Sequence, residues 1–298
     1  MEPILKVENL VKRYARRNFV GAPQELVALD TVSFTVSAGT TLAIVGESGS
    51  GKSTLASCIA CLEMPTAGNL WFAGRNLATA PESDLRQIRP QIQLIFPDPA
   101  SSLNPRWTIL DIVVEPLVLQ GRLGRKERKT RAFSLLERVG LSADVAERSA
   151  AELSGGQRQR LAIARALTLD PKLLILDEAL SALDCSVQAQ IANLLLELQG
   201  SLGMTFLFIT HDLAMAAHLA DEIAVMSHGR IVEHGPSNKI LRNPGHEATK
   251  LLLEKRAKQD LRNQWKNTAR DEAKSNGHTN IVALLDTYQN NQLETIPS

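Results

Sequence analysis

The chain is poor in cysteine: its 298 residues hold three, Cys58, Cys61 and Cys185. So sparse a set fits a reducing cytoplasmic compartment. Cys58 and Cys61 form C-x-x-C, but no second pair accompanies them and both fall inside a predicted helix. Apolar packing accounts for them better than a metal or redox site. Long apolar runs are missing too, and no stretch approaches the length needed to span a bilayer. The N-terminus, Met1-Glu2-Pro3-Ile4-Leu5, lacks a basic region followed by an apolar one, so no signal peptide is expected. Nor is there an excess of charge of one sign. Thirty-three Lys and Arg stand against 32 Asp and Glu, a net charge of +1. That balance gives no general pull toward nucleic acid or anionic lipid. One basic run, Gly124-Arg125-Lys126-Glu127-Arg128-Lys129, is interrupted by an acid and reads as a solvated helix face. What remains is ordinary for a globular protein, 44% hydrophobic and 22% charged. The length suffices for one large domain or two smaller ones.

Against that plain background, Gly46-Glu47-Ser48-Gly49-Ser50-Gly51-Lys52-Ser53 fits the pattern G-x-x-x-x-G-K-[ST]. The apolar run Thr41-Leu42-Ala43-Ile44-Val45 predicts a buried strand before it, and Lys52 to Cys61 predicts a helix after it. Glycines let backbone amides turn inward around phosphate oxygens. The helix start adds unpaired N–H groups and the positive end of a dipole. In this pattern Lys52 reaches the β- and γ-phosphates and the Ser53 hydroxyl ligates Mg²⁺. A nucleoside triphosphate is the expected ligand.

Four further segments bear on the same chemistry. Leu153-Ser154-Gly155-Gly156-Gln157 precedes a run with apolar residues at near-helical spacing, so a helix starts close to Gln157. Its serine and glycines make a second candidate amide nest for an anion. Leu173-Leu174-Ile175-Leu176-Asp177-Glu178 reads as a buried parallel strand whose end delivers two carboxylates to a crevice, where open α/β sheets bind ligands. Adjacent acids alternate across a strand, so Asp177 suits a Mg²⁺ shell and Glu178 the activation of water. Ser181-Ala182-Leu183-Asp184 follows as a turn. Thr205-Phe206-Leu207-Phe208-Ile209-Thr210-His211-Asp212 is another buried strand, bringing a histidine to the same edge.

In this order the five segments resemble the ATP-binding subunit of an ATP-binding cassette (ABC) transporter, over roughly residues 4 to 252. The segment Ser101-Ser102-Leu103-Asn104-Pro105-Arg106, preceded by Phe96-x-Asp98-Pro99, resembles the oligopeptide/dipeptide importer group. The wording of the phosphate loop is also that group's, and a long insert from Ala15 to Leu29, between Tyr14 and the next strand, is compatible with it. The resemblance implies an α/β P-loop NTPase fold: a RecA-like parallel sheet core, an antiparallel β subdomain and a helical signature subdomain at about residues 98–157. It implies an ATP-binding domain over residues 1–245 and a helical C-terminal extension over 246–298. It further implies a head-to-tail dimer with a second ABC subunit, identical or paralogous, with two ATPs between the chains. Membrane permeases would be direct partners and a solute-binding protein an indirect one. Nucleic acid is not expected. The place implied is the cytoplasmic face of the inner membrane, peripheral through the permeases.

Carried over residue by residue, Tyr14 would stack on adenine, and Gly46, Glu47, Ser48, Gly49, Ser50, Gly51, Lys52, Ser53 and Thr54 would surround the phosphates. Ser53 and Asp177 would hold Mg²⁺, and Glu178 would orient or deprotonate the attacking water. His211 would contact the γ-phosphate. Ser154, Gly155, Gly156 and Gln157 would close on the partner's ATP, and Asp184 would touch the facing subunit.

The chain departs from the group's pattern at Phe96-Pro97-Asp98-Pro99, where F-Q-D-P is usual. Proline supplies neither a side-chain amide nor an N–H. Gln91 and Gln93 lie several strand residues earlier, too far back to replace it without a register shift. Glu178-Ala179-Leu180-Ser181 replaces E-P-T-S with little expected chemical consequence. In the tail, residues 267–287 resemble the helix pair of one ankyrin repeat, an amphipathic hairpin explaining the same spacing, after a charged linker helix from Lys255 to Lys266. Two other readings stay open: an ABC subunit for another cargo (nickel, phosphonate-type compounds or an exported peptide), and a soluble ABC ATPase outside transport.

Overall fold

The computed structural model describes residues 3–16 and 24–260. Strands β1 (Leu5–Arg16) and β2 (Gln24–Val36) form a long antiparallel pair. Here the expected insert is corrected. Ala15 pairs with Glu25 and Lys12 with Leu29, so the described residues of that segment, 15–16 and 24–29, belong to a ladder. Its outer end alternates poorly, with Leu26 59% and Val27 40% exposed, which is why periodicity hid it.

Strand β3 (Thr41–Val45) leads into α1 (Lys52–Ile59), followed by β4 (Ala67–Phe72) and β5 (Arg75–Asn76). Next come α2 (Glu82–Ile88), β6 (Ile92–Ile95), α3 (Pro99–Ser102), α4 (Ile109–Leu119) and α5 (Arg125–Arg138). Then follow α6 (Gly155–Leu167), β7 (Leu173–Asp177), α7 (Cys185–Leu202), β8 (Thr205–Thr210) and α8 (Leu213–Leu219). The described chain closes with β9 (Glu222–Ser227), β10 (Arg230–Pro236), α9 (Ser237–Arg242) and α10 (Glu247–Asp260).

Two sheets result. The four-stranded one runs β2-β1-β4-β5, and the six-stranded one runs β10-β9-β3-β8-β7-β6. In the second, β9, β3, β8, β7 and β6 are parallel and β10 returns antiparallel. Strands β3, β7 and β8 are buried at every position, as continuous aliphatic runs in a doubly covered parallel sheet must be. Alternate residues feed two cores. Ala43, Val45, Leu174, Leu176, Phe206 and Phe208 pack toward α4 to α8, while Leu42, Ile44, Leu173, Ile175, Leu207 and Ile209 pack toward α1 and the smaller sheet.

The helical stretch between β6 and α6 behaves as its sequence suggests. Thr108 caps α4 by accepting from Asp111 N at 3.1 Å. Strongly charged α5 buries only Ala132, Leu135 and Leu136, and Glu127 reaches back to Gly124 N at 2.7 Å, so the basic run is a capped, solvated face. Helix α10 joins the main core through Leu253. Asp260 ends the described part of the expected linker helix, and the ankyrin-like pair lies outside the described residues.

Candidate functional site

Parallel register decides which loops meet. Val45 lies beside Thr210, and Asp177 beside Ile209, so the ends of β3, β8 and β7 open side by side on one edge. Gly46, His211 and Glu178 are the next residues on each strand. The three sequence segments thus converge by pairing alone, at the carboxyl edge where a doubly wound sheet leaves its crevice.

The loop from Gly46 to Gly51 needs its last glycine. Gly51 caps α1 at φ +104, and a Cβ there would come within 2.4 Å of the Ala28 carbonyl oxygen. Inside the turn, Lys52 is 4% exposed and its Nζ donates to the carbonyl oxygens of Gly46 and Glu47, each at 2.8 Å. Burial pulls its ammonium below the usual lysine range, against the pull of Glu178, Asp177 and Glu47. Ser53 Oγ donates to Asp177 Oδ1 at 3.2 Å. Asp177 is buried at the last position of β7, and desolvation raises its carboxyl above the ordinary aspartate value while Ser53 and Lys52 oppose the rise. Ser50 Oγ is buried with no hydrogen-bond partner.

Glu178 sits at φ +45, a left-handed backbone that an L residue enters at a cost of about 1–3 kcal/mol. Its N–H donates to the Ile209 carbonyl at 2.9 Å, and its own carbonyl accepts from Ser181 N and Oγ at 3.0 and 2.8 Å. The kink aims its carboxylate across the crevice: Oε1 lies 3.8 Å from Lys52 Nζ and Oε2 lies 3.6 Å from His211 Nδ1. Ala179 and Leu180, the departures just beyond, are buried in the core. Asp212 caps α8 by accepting from Ala214 N at 2.8 Å, which fixes the turn that carries His211.

The remaining expected site residues stand apart from this cluster. Tyr14 donates its hydroxyl to Glu63 at 2.5 Å and lies close enough to Thr54 to feel its hydroxyl. Burial and Glu63 together raise the Tyr14 phenol. Ser154 caps α6: its Oγ accepts from Gln157 N at 3.3 Å, and Gln157 Oε1 accepts from Ser154 N at 3.0 Å. Each side chain thereby accepts from the other residue's backbone N–H, as a capping box. Gly156 has a packing reason of its own, since a Cβ there would lie 2.5 Å from Val187 Cγ1. Asp184 caps α7, accepting from Val187 N at 2.9 Å. Gly155 and Ser154 are exposed at the start of α6.

Neither glutamine replaces the one missing at position 97. Gln93 Nε2 turns back to the Arg89 carbonyl at 3.1 Å, and Gln91 Nε2 to the Gln87 carbonyl at 3.4 Å. Cys58 and Cys61 are buried in the core, and burial pushes both thiols up to about 11. Such thiols are inert packing groups at neutral pH. Sequence reasoning missed Glu63, whose place in the turn after α1 gives no periodic signal.

A buried lysine, a buried carboxyl and an orphaned hydroxyl around one glycine turn fit a bound phosphate chain with its divalent cation. An anion would answer Lys52 and Ser50, and a cation would answer Asp177. A phosphate loop after a central strand, with two carboxylates at the end of a nearby strand, defines a P-loop NTPase. Within that class the chain belongs to the ABC transporter family, whose model matches residues 29–181. The dipeptide transport ATP-binding protein DppF of Haemophilus influenzae is 45% identical over 252 residues, covering 84% of this chain and 77% of that protein. Glutathione import ATP-binding protein GsiA of Escherichia coli O157:H7 is 47% identical over 254 residues, 85% of this chain and 41% of that protein. A dimeric ATP-binding cassette in a post-hydrolysis state, bound to ADP and Pi, has a TM-score of 0.70 at 31% identity, covering 78% of this chain and 98% of that chain. The chain is an ATP-binding cassette ATPase with a RecA-like α/β core.

Proposed function

We propose that this chain hydrolyses ATP to energise import of small peptides through membrane permeases, working as one half of an ATPase pair. The observation that carries the reading is the meeting of Lys52, Asp177, Glu178 and His211 at the carboxyl edge. The cargo class rests on relatives named for dipeptide transport and glutathione import.

Lys52 holds the β- and γ-phosphates once they displace the carbonyl oxygens that it now serves. Ser53 and Asp177 would hold Mg²⁺, which when bound neutralises phosphate charge. Glu178 takes a proton from the attacking water as the bond to the γ-phosphorus forms and ADP leaves. His211, 3.6 Å from Glu178, positions that carboxylate and contacts the terminal phosphate. Tyr14, steadied by Glu63, stacks on adenine. Gly49, Ser48 and Thr54 complete the phosphate shell. Ser154, Gly155, Gly156 and Gln157 present the exposed start of α6 to the partner's ATP, where the N–H groups of its first turn face an anion. Asp184 sits at the same face. Pro97 leaves this chain's own site without the amide usual in the group, so turnover there is weakened while binding is kept.

Co-expression with dipeptide-importer permeases and a solute-binding protein, followed by reconstitution, tests the reading. Dipeptide-stimulated ATP hydrolysis and uptake are expected. ATP hydrolysis with no peptide response and no permease retained on the purified chain would overturn the transport assignment.

A further inference from the structure

We propose that a cleft at the opposite edge of the sheet binds a small, multiply charged phosphate compound. This goes beyond the ATPase reading and does not depend on it. The cleft, of about 690 Å³, is lined by Arg75, Arg86, Arg122 and Lys172 together with the carboxamides of Gln91 and Gln120. No carboxylate lines it among the described residues. Four cations thus gather from four places: the start of β5, helix α2, the turn after α4 and the residue before β7. In a chain of net charge +1 this is a local concentration, not a general excess.

Three of the four cations are uncommitted. Arg86 shares Glu82 at 3.6 Å, but Glu82 is held more closely by Arg89. Arg75, Arg122 and Lys172 make no side-chain hydrogen bond or ion pair among the described residues. A neighbouring hollow of about 900 Å³ shares Lys172 and adds Lys126 and Arg138. Its acids are occupied, Glu127 capping Gly124 and Asp170 pairing with Arg131. Four cations, Lys126, Arg131, Arg138 and Lys172, stand there against these two acids, so the positive field extends beyond the cleft.

Chemistry selects the ligand. Planar guanidinium forks match phosphate oxygens, and a lysine adds a point charge. A cavity of this volume exceeds one phosphate and suits a chain of two or three, with the carboxamides left to orient an attached group. Such clustered phosphates occur on free nucleoside polyphosphates and on the two-phosphate headgroup of cardiolipin. Gln91 and Lys172 stand at the amino ends of β6 and β7, while Asp177 ends β7 at the other edge, so this is not the ATP crevice. Arg122 belongs to the helical stretch and Lys172 to the core sheet, so an occupant would tie the two together and change ATP turnover.

The test titrates inorganic triphosphate into the full chain carrying Lys52→Ala, which disables the phosphate loop. Saturable binding is expected, weakened at least tenfold by adding Arg75→Ala and Arg122→Ala, with Arg122→Lys in between. In parallel, vesicles containing cardiolipin are compared with phosphatidylcholine vesicles by co-sedimentation. Arginine-dependent sedimentation with the first alone assigns a headgroup as the source, and triphosphate binding alone assigns a soluble polyphosphate. Unaltered melting temperatures show that the exposed arginines were removed without unfolding. Absence of both binding events, or binding indifferent to Arg75 and Arg122, would overturn the proposal.

Discussion

Replacing Glu178 by Gln removes the carboxylate charge and keeps the shape. The side chain stands between Lys52 Nζ at 3.8 Å and His211 Nδ1 at 3.6 Å, so both neighbours report on the change. Gln has the same backbone requirement at φ +45, and the bonds from Glu178 N–H to Ile209 and from Ser181 to the Glu178 carbonyl use only the main chain of residue 178. The fold should therefore hold. Loss of a positioned general base costs about 100- to 10,000-fold in rate, equivalent to about 2.7–5.4 kcal/mol of barrier. ATP affinity should stay or rise, because a negative charge facing the phosphates has been removed and Lys52 is no longer shared with it. The assay is single-turnover phosphate release, with nucleotide binding measured in parallel and gel filtration in ATP to reveal a trapped dimer. Turnover within a few-fold of the parent chain would refute the assignment of Glu178 as the base, and lost ATP binding would refute the claim that its contribution is confined to hydrolysis.

Restoring the amide by Pro97→Gln should raise ATP turnover in the assembled complex roughly tenfold, about 1.4 kcal/mol of barrier, read as steady-state phosphate release. Gly156→Ala should lower stability by about 1–3 kcal/mol, because the new methyl meets Val187 Cγ1 at 2.5 Å; thermal denaturation should show the loss and partial recovery with Val187→Ala added. Asp177 carries a carboxyl raised above the usual aspartate value chiefly by burial. A raised acid binds its proton more tightly when folded, so it adds stability at low pH that is lost as pH rises through the folded value. Mg²⁺ needs the deprotonated form, so Mg²⁺-dependent ATP affinity should weaken as pH falls through a point above that of an ordinary aspartate. Titrations from neutral to mildly acidic pH check this, and Asp177→Asn should remove the part of that pH dependence that the terminal phosphate of ATP does not itself supply.

The parallel core was legible because buried strands carry nearly continuous apolar runs, as in Leu173–Asp177 and Thr205–Thr210. Their common edge was legible because ligand crevices open where such strands end. Register was not: nothing in the separate segments says that Asp177 lies beside Ile209 or Val45 beside Thr210. The end of α1 was read two residues late, since Ala60 and Cys61 continue the apolar pattern while Cys61 turns to φ +55. The β1–β2 ladder was hidden because exposed Leu26 and Val27 break alternation. Side-chain commitments were equally invisible, as with Ser154 and Gln157 capping each other and Tyr14 bonding Glu63 across 49 positions. Hydrogen bonds of that kind depend on tertiary placement and leave no periodic trace.

Equilibrium titration of the purified chain with ATP, with and without Mg²⁺, and again after Lys52→Ala tests the central claim most directly. Saturable binding strengthened by Mg²⁺ and lost by at least a hundredfold without the lysine is the predicted result. Binding that ignores both the metal and Lys52 would contradict the account.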